Sequence, residues 1–517
     1  MMAMPSFADT EGIAAQLPTA ASNRLAPTPK PSSSRNGSIM IAGQIVKFGL
    51  HTVGMLALSR LLAPDDFGLV AMVTVFVALG GLIRDFGLSS AALRAPRLTS
   101  AQATNLFWIN SALGSAMGLV FVGASPLVVM LYDEPRLGRL MPMLALALMF
   151  SGMQTQLQVS LARTGRVTAL ISTDIAGQAL ALAVAILLAV AGAGYIALAA
   201  QLVVAPLVML VSRWRVTRWR PRRFTRRAGT LALLREGRDF GVASFINFIA
   251  TNVDSITVGA AMGAVPLGLY NRANQLLTGP VGQLMSPLVQ VVVPASNREI
   301  GFSRRTQFLL QVQGAVCLPM AFVFAFVIGT SPTLVPFLLG DQWSAAGPIL
   351  RILSVGGMFW VFTQVSFWAF LALAPSRDLL HYQFIAKGVM IAGIVVSSQF
   401  TLTAVAVTYA ATLVFGWFLT LWWLRRRIAY PSMQFLASGL RYIIAGLSGA
   451  VTAGIVLAGL TARQPSIQLA LAATAALSVF TLAVVAFPSG RRELQQLLAT
   501  VNTALRKMRS AGGESGG

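Results

Sequence analysis

The chain has 517 residues, of which 56% are hydrophobic and 11% charged, with a net charge of +23. Soluble proteins carry about 25% charged residues, so a water-soluble globular class is excluded and repeated bilayer spans of roughly 20 apolar residues are implied. The positive charge lies in short loops beside apolar runs, which fits anionic membrane lipids and no nucleic acid.

Residues 1–36 are polar and rich in proline and serine, with no basic start followed by an apolar core. They read as a disordered cytoplasmic tail without a cleaved signal. Fourteen apolar segments follow, near 38–62, 67–90, 104–130, 139–161, 167–190, 194–212, 240–261, 268–294, 306–329, 346–373, 380–399, 402–424, 436–459 and 467–487. Arginines fall in every second gap. Arg94 and Arg97 follow the second segment, Arg163 and Arg166 the fourth, and a run from Arg213 to Arg227 the sixth. Lys and Arg are retained on the cytoplasmic side, so the alternation sets the topology and places both termini in the cytoplasm. The longest external gap is expected around 331–347, where Pro332, Pro336 and Gly340 stand.

The basic loop 213–238 divides the chain. Six segments precede it (37–212), six follow (239–424), two more are added (425–490), and 491–517 form a second cytoplasmic tail. The two halves resemble each other at an offset of 200. Phe67-Gly68-Leu69 aligns with Leu267-Gly268-Leu269, each after a proline-containing turn. The expected architecture is an all-α polytopic membrane protein of about fourteen helices. Two parallel six-helix bundles enclose a central cavity, the usual place for a transporter's substrate.

Charged and amide groups inside apolar segments are costly and normally face a cavity or a partner. The first segment carries Gln44, Lys47 and His51, spaced i, i+3, i+7 on one helical face. The fourth carries Gln154, Gln156 and Gln158, and the fifth carries Asp174 and Gln178. The seventh carries Asn247, Asn252 and Asp254, and the eighth carries Asn271, Arg272 and Gln275. Because the first and seventh segments match in the repeat, their polar faces are expected to meet across one cavity. Amides suit sugar hydroxyls, while Lys47 and Arg272 suit phosphate. Each of these groups also has a plainer reading as interhelical glue. One cysteine, Cys317, and two distant histidines leave no metal-ligand spacing. No GxxxxGK[ST] loop is present, so neither cofactor nor nucleotide is implied.

Ordered stretches extend the reading: Ser59-Arg-Leu-Leu-Ala-Pro-Asp-Asp-Phe-Gly-Leu69, Arg84-Asp-Phe-Gly-Leu88, Asn105-Leu-Phe-Trp-Ile-Asn110, Tyr132-Asp-Glu-Pro-Arg-Leu137, Leu267-Gly-Leu-Tyr-Asn-Arg-Ala273 and Val335-Pro-Phe-Leu-Leu-Gly-Asp-Gln-Trp343. Together they resemble the polysaccharide flippases of the multidrug/oligosaccharidyl-lipid/polysaccharide exporter superfamily. The resemblance implies a bacterial inner-membrane protein that moves undecaprenyl-diphosphate-linked oligosaccharide by alternating access, without catalysis. A polysaccharide polymerase and a chain-length regulator are the implied partners. Lys47, His51, Gln154, Asn247, Asn252, Arg272 and Gln275 are the expected substrate contacts, with Asp254 and Asp174 in ion coupling or structural pairing. Two other functions stay open at this point. One is a membrane glycosyltransferase or polymerase acting on the same lipid, for which Asp65 and Asp66 would be the external acids. The other is a drug exporter of the same superfamily.

Overall fold

The computed structural model describes residues 34–85, 92, 93, 95, 98–225, 245, 248, 249, 251–428, 430–460, 464–488 and 490–495. Asn247, most of the first 36 residues, residues 226–238 of the basic loop and 496–517 lie outside them. The described residues are predominantly helical and contain no strand. In chain order the helices are α1 (Ser34–Leu61), α2 (Pro64–Asp85), α3 (Ser100–Gly123), α4 (Ser125–Tyr132), α5 (Leu137–Arg163), α6 (Val167–Val190) and α7 (Tyr195–Thr217). Then come α8 (251–262 of its length described), α9 (Ala264–Arg298), α10 (Phe302–Leu339), α11 (Ala346–Leu373), α12 (Ser376–Ser397), α13 (Leu402–Ile428), α14 (Ser432–Gly459) and α15 (Pro465–Ala486). Among the described residues, twelve helices are long and apolar enough to cross a bilayer: α2, α3, α5 to α7, and α9 to α15.

Two segments differ from the sequence expectation, both at prolines. The third is broken: α3 stops at Gly123 and α4 restarts at Ser125, with Pro126 in the first turn of the new helix. A proline there lacks only an N–H that the first turn leaves unpaired anyway. The ninth segment does not end near 329. Helix α10 runs on to Leu339 with Pro332 and Pro336 inside it, so the expected external gap at 331–347 shrinks to a turn around Gly340 and the short helix Asp341–Trp343. Pro332 deprives the Ile328 carbonyl of its helical donor. Arg351 on α11 replaces that donor, its Nε reaching Ile328 O at 3.1 Å.

In the first half, α5 packs on α2, α3 and α7, and α6 packs on α1 and α7. In the second, α11 packs on α9, α10 and α13, while α12 packs on α13. Helices α14 and α15 lie outside this set, against α10. Gln313 fixes α14 there, donating to Phe435 O and to Ser438 Oγ, both at 2.9 Å.

The halves meet where α2 crosses α9. A Cβ added to Gly68 would collide with the Ala264 carbonyl, and one added to Gly268 would collide with the Pro64 carbonyl. The contact is therefore made twice, with partners related by the offset of 200. Beside it, at the end away from the basic loops, the tip of α1 is tied to the far end of α10. Arg60 donates to Phe337 O (2.7 Å) and Leu338 O (3.3 Å). Gln342 Nε2 donates to Ser59 O (2.7 Å) and Leu62 O (3.0 Å), and Trp343 Nε1 also donates to Ser59 O (2.7 Å).

At the basic end, the described part of the 213–238 loop is held against α3. Asn105 Nδ2 donates to Thr225 O (2.7 Å) and its Oδ1 accepts from Thr225 N (2.9 Å). Trp108 donates to Arg222 O (2.9 Å), and Phe107 meets Trp214 and Trp219 edge-on.

Candidate functional site

A cavity of about 630 Å³ lies between the halves, walled by α1, α2, α6, α7 and α9. Its charged or titratable lining groups are Lys47, His51 and Arg272. Its amides are Gln44, Gln178, Gln201, Asn271, Gln275 and Gln283. Among the described residues, no Asp or Glu lines it. The crossing of α2 and α9 and the ties of α1 to α10 close the end away from the basic loops. Nearer the basic end one amide pair spans the halves, Gln44 Nε2 donating to Gln283 Oε1 at 2.6 Å.

Helix α1 presents Gln44, Lys47 and His51 together because their spacing keeps them on one face. Lys47 Nζ lies 3.0 Å from Asp174 Oδ2 on α6. The other oxygen of Asp174 takes Arg213 Nη2 at 2.5 Å. Arg213, 2% exposed, also donates to Gln154 and Gln158. One carboxylate thus serves two cations, and the surplus positive charge faces the cavity at Lys47.

Arg272 is held differently. Its guanidinium stacks 3.7 Å above the Phe67 ring and donates to Gln275 Oε1 at 2.9 Å. It has no carboxylate partner among the described residues. Stacking on an aromatic face is worth about 2 kcal/mol to a desolvated cation, and it leaves the charge available to an incoming anion. Phe67 sits between Arg272 and Trp343, meeting the indole edge-on at 5.3 Å.

Of the expected substrate contacts, the cavity brings together Lys47, His51, Arg272 and Gln275, and it adds Gln44, Gln178 and Asn271 from the polar positions read in the sequence. Gln154 lies off its wall, bonded to Arg213. Asn252 donates to Phe248 O of its own helix at 2.9 Å and lines neither this cavity nor the next. Asn247 is outside the described residues. The expectation that α1 and α8 share one cavity needs correcting. Asp254 faces a separate cavity of about 230 Å³ in the second half, together with Lys387 and Tyr409. There it accepts a hydrogen bond from the Tyr270 hydroxyl at 3.1 Å. The physical reason is α9, which presents Asn271, Arg272 and Gln275 to the large cavity and Leu277 and Thr278 to the smaller one.

Three important groups were not picked out in the sequence. Gln201 is a single amide in an apolar helix, with no periodic companion. Lys387 shares its helix with Arg377, Asp378 and His381, but none of them lies three, four or seven residues from it to mark a polar face. Arg213 begins the basic run, so the topological signal absorbed it although it is buried.

This cavity can accept an anionic head beside a hydroxyl-rich body. A family model described as "Polysaccharide biosynthesis protein" matches residues 57–348. The chain is similar to the succinoglycan biosynthesis transport protein ExoT of Rhizobium meliloti, 29% identical over 62% of this chain and 65% of that one. It is also similar to the lipopolysaccharide biosynthesis protein WzxC of Escherichia coli, 26% identical over 61% and 64%. The match thus spans just under two thirds of each relative's length. Among solved structures, the lipid II flippase MurJ in an inward closed conformation superposes with a TM-score of 0.66 at 10% identity, covering 87% of this chain and 98% of that one. At that identity the likeness is one of fold. Since the model spans more than half of the 517 residues, the protein belongs to the polysaccharide biosynthesis protein family.

Proposed function

We propose that this protein is a flippase for a polyprenyl-diphosphate-linked oligosaccharide, undecaprenyl diphosphate being the carrier in bacteria. It moves the unit from the cytoplasmic to the periplasmic leaflet of the inner membrane, with the basic loops and both termini in the cytoplasm. No bond is made or broken. A polymerase and a chain-length regulator would take the product onward, and anionic lipids would meet the basic loops.

The observation that carries this reading is the cavity wall, which holds Lys47, His51, Arg272 and six amides but no carboxylate among the described residues. A diphosphate needs cations, and sugar hydroxyls need groups that both donate and accept. An exporter of cationic drugs would need the opposite sign. Relatives named for succinoglycan transport and lipopolysaccharide biosynthesis support the same reading.

The test is complementation of a strain lacking the protein, with Lys47→Ala, Arg272→Gln and the double variant at matched membrane levels. Surface polysaccharide should fall about ten-fold or more in the double variant, equivalent to losing about 1.4 kcal/mol of head-group binding. Lipid-linked oligosaccharide should then accumulate inside. Full surface polysaccharide in the double variant would sink the reading.

A further inference from the structure

Among the described residues, Asp174 is the one carboxylate that touches a cavity cation, and its geometry is unequal. Its two oxygens hold two different partners, Lys47 at 3.0 Å and Arg213 at 2.5 Å. Arg213 is fixed: it is 2% exposed and its guanidinium is also bonded to Gln154 and Gln158. Lys47 is loose by comparison. Its side chain is 25% exposed, it lines the cavity, and Asp174 is its hydrogen-bond partner. An ammonium on a four-carbon stem can swing between acceptors, while a guanidinium held at three points cannot. Asp174 itself does not line the cavity.

We propose that Asp174 stands in for the substrate's phosphate, holding Lys47 until an anionic head group enters and takes the ammonium over. This rests on the flippase reading above. The exchange leaves no charge stranded. Lys47 passes from carboxylate to phosphate, and Asp174 stays paired with Arg213. Removing a sole partner from a buried charge is strongly destabilising, and the second cation avoids that outcome. The exchange also has a mechanical result. The Lys47–Asp174 bridge ties α1 to α6, and the far tip of the same α1 is tied to α10 through Arg60 and to the short helix Asp341–Trp343 through Ser59. Arrival of a diphosphate therefore removes the polar tie between α1 and α6, leaving their apolar packing free to slide, while α1 keeps its hydrogen bonds to the other half. Asp174 acts as a positioning residue that makes movement of α1 conditional on substrate.

The experiment measures binding of undecaprenyl diphosphate to the full-length protein in nanodiscs, alongside polysaccharide export in cells. Asp174→Asn frees Lys47, so binding should tighten about ten-fold while export falls, a split that a merely structural role would not produce. In a Lys47→Ala background the same change should leave binding unaltered. Should Asp174→Asn fail to accumulate because Arg213 is left unpaired, Asp174→Asn with Arg213→Gln carries the same expectation. Binding equal to or weaker than the unmodified protein's, with Lys47→Ala weaker still, overturns the exchange and leaves the flippase reading standing. Unchanged binding in both Lys47→Ala and Arg272→Gln overturns that reading instead.

Discussion

Arg136 shows how this chain uses charge outside its cavity. It stands at the start of α5, away from the basic loops, and donates to Asp65 at the start of α2 (2.5 Å) and to both oxygens of Glu134 (2.8 Å each). Hydrogen bonding to Arg136 holds the Glu134 carboxyl below the usual glutamate range, and the same contacts raise the guanidinium. A depressed carboxyl adds stability that is complete above the unfolded value of about 4.3 and is lost as pH falls through the lower folded value. The pair is largely solvent-screened, so the effect is small. Arg136→Gln should lower the melting temperature by about 1 °C near pH 7, with the difference shrinking below about pH 4. A gap that persists unchanged into acid would show that Glu134 does not contribute. At this scale, what could be read in the sequence was whatever repeats along one helix. Gln44, Lys47 and His51 announce themselves by spacing, and Arg272 with Gln275 does the same. The Asp174–Arg213 contact could not be read this way, because it joins two helices whose packing is decided by neighbours elsewhere in the chain.

Among elements, the tie of α1 to the end of α10 and the short helix after it supplies side-chain hydrogen bonds that help seal one end of the cavity. Alternating access by the proposed flippase requires it to part. Cys317 is buried and is the chain's single cysteine, so a new pair can be placed cleanly. Arg60→Cys with Phe337→Cys, bridged by a short reductively cleavable linker, should stop polysaccharide export, and reduction should restore it. Undiminished export by the bridged protein would mean that these helices do not separate. The apolar runs marked most of the spans, since a bilayer demands length and hydrophobicity from each helix independently. The far end of α10 escaped that logic. Pro332 and Pro336 read as a loop in isolation, but Arg351 from α11 supplies the hydrogen bond that keeps the helix continuous.

Over the whole molecule, the two halves share a plan and differ in sign. In the first, a lysine on α1 pairs with an aspartate on α6. In the second, an aspartate on α8 shares a cavity with a lysine on α12. The repeated helices thus carry opposite charges, at positions that the offset of 200 does not relate, so the halves are alike in architecture and unlike in chemistry. Only one of them supplies the cation that faces the large cavity from α1.

The doubled contact of Gly68 with Ala264 and of Gly268 with Pro64 has a further consequence. It is the kind of interface two separate copies make across a two-fold axis, where each side presents the same patch to the other. Such an interface needs no peptide bond to hold its partners in register. Two fragments divided after Thr225, beyond the anchorage of the basic loop on Asn105, should therefore find each other in the membrane. Co-expressed in a deletion strain, they should restore surface polysaccharide, and Gly268→Val should abolish the rescue by keeping them apart. The covalent link between the halves would then be a convenience of synthesis, with recognition residing in two glycines.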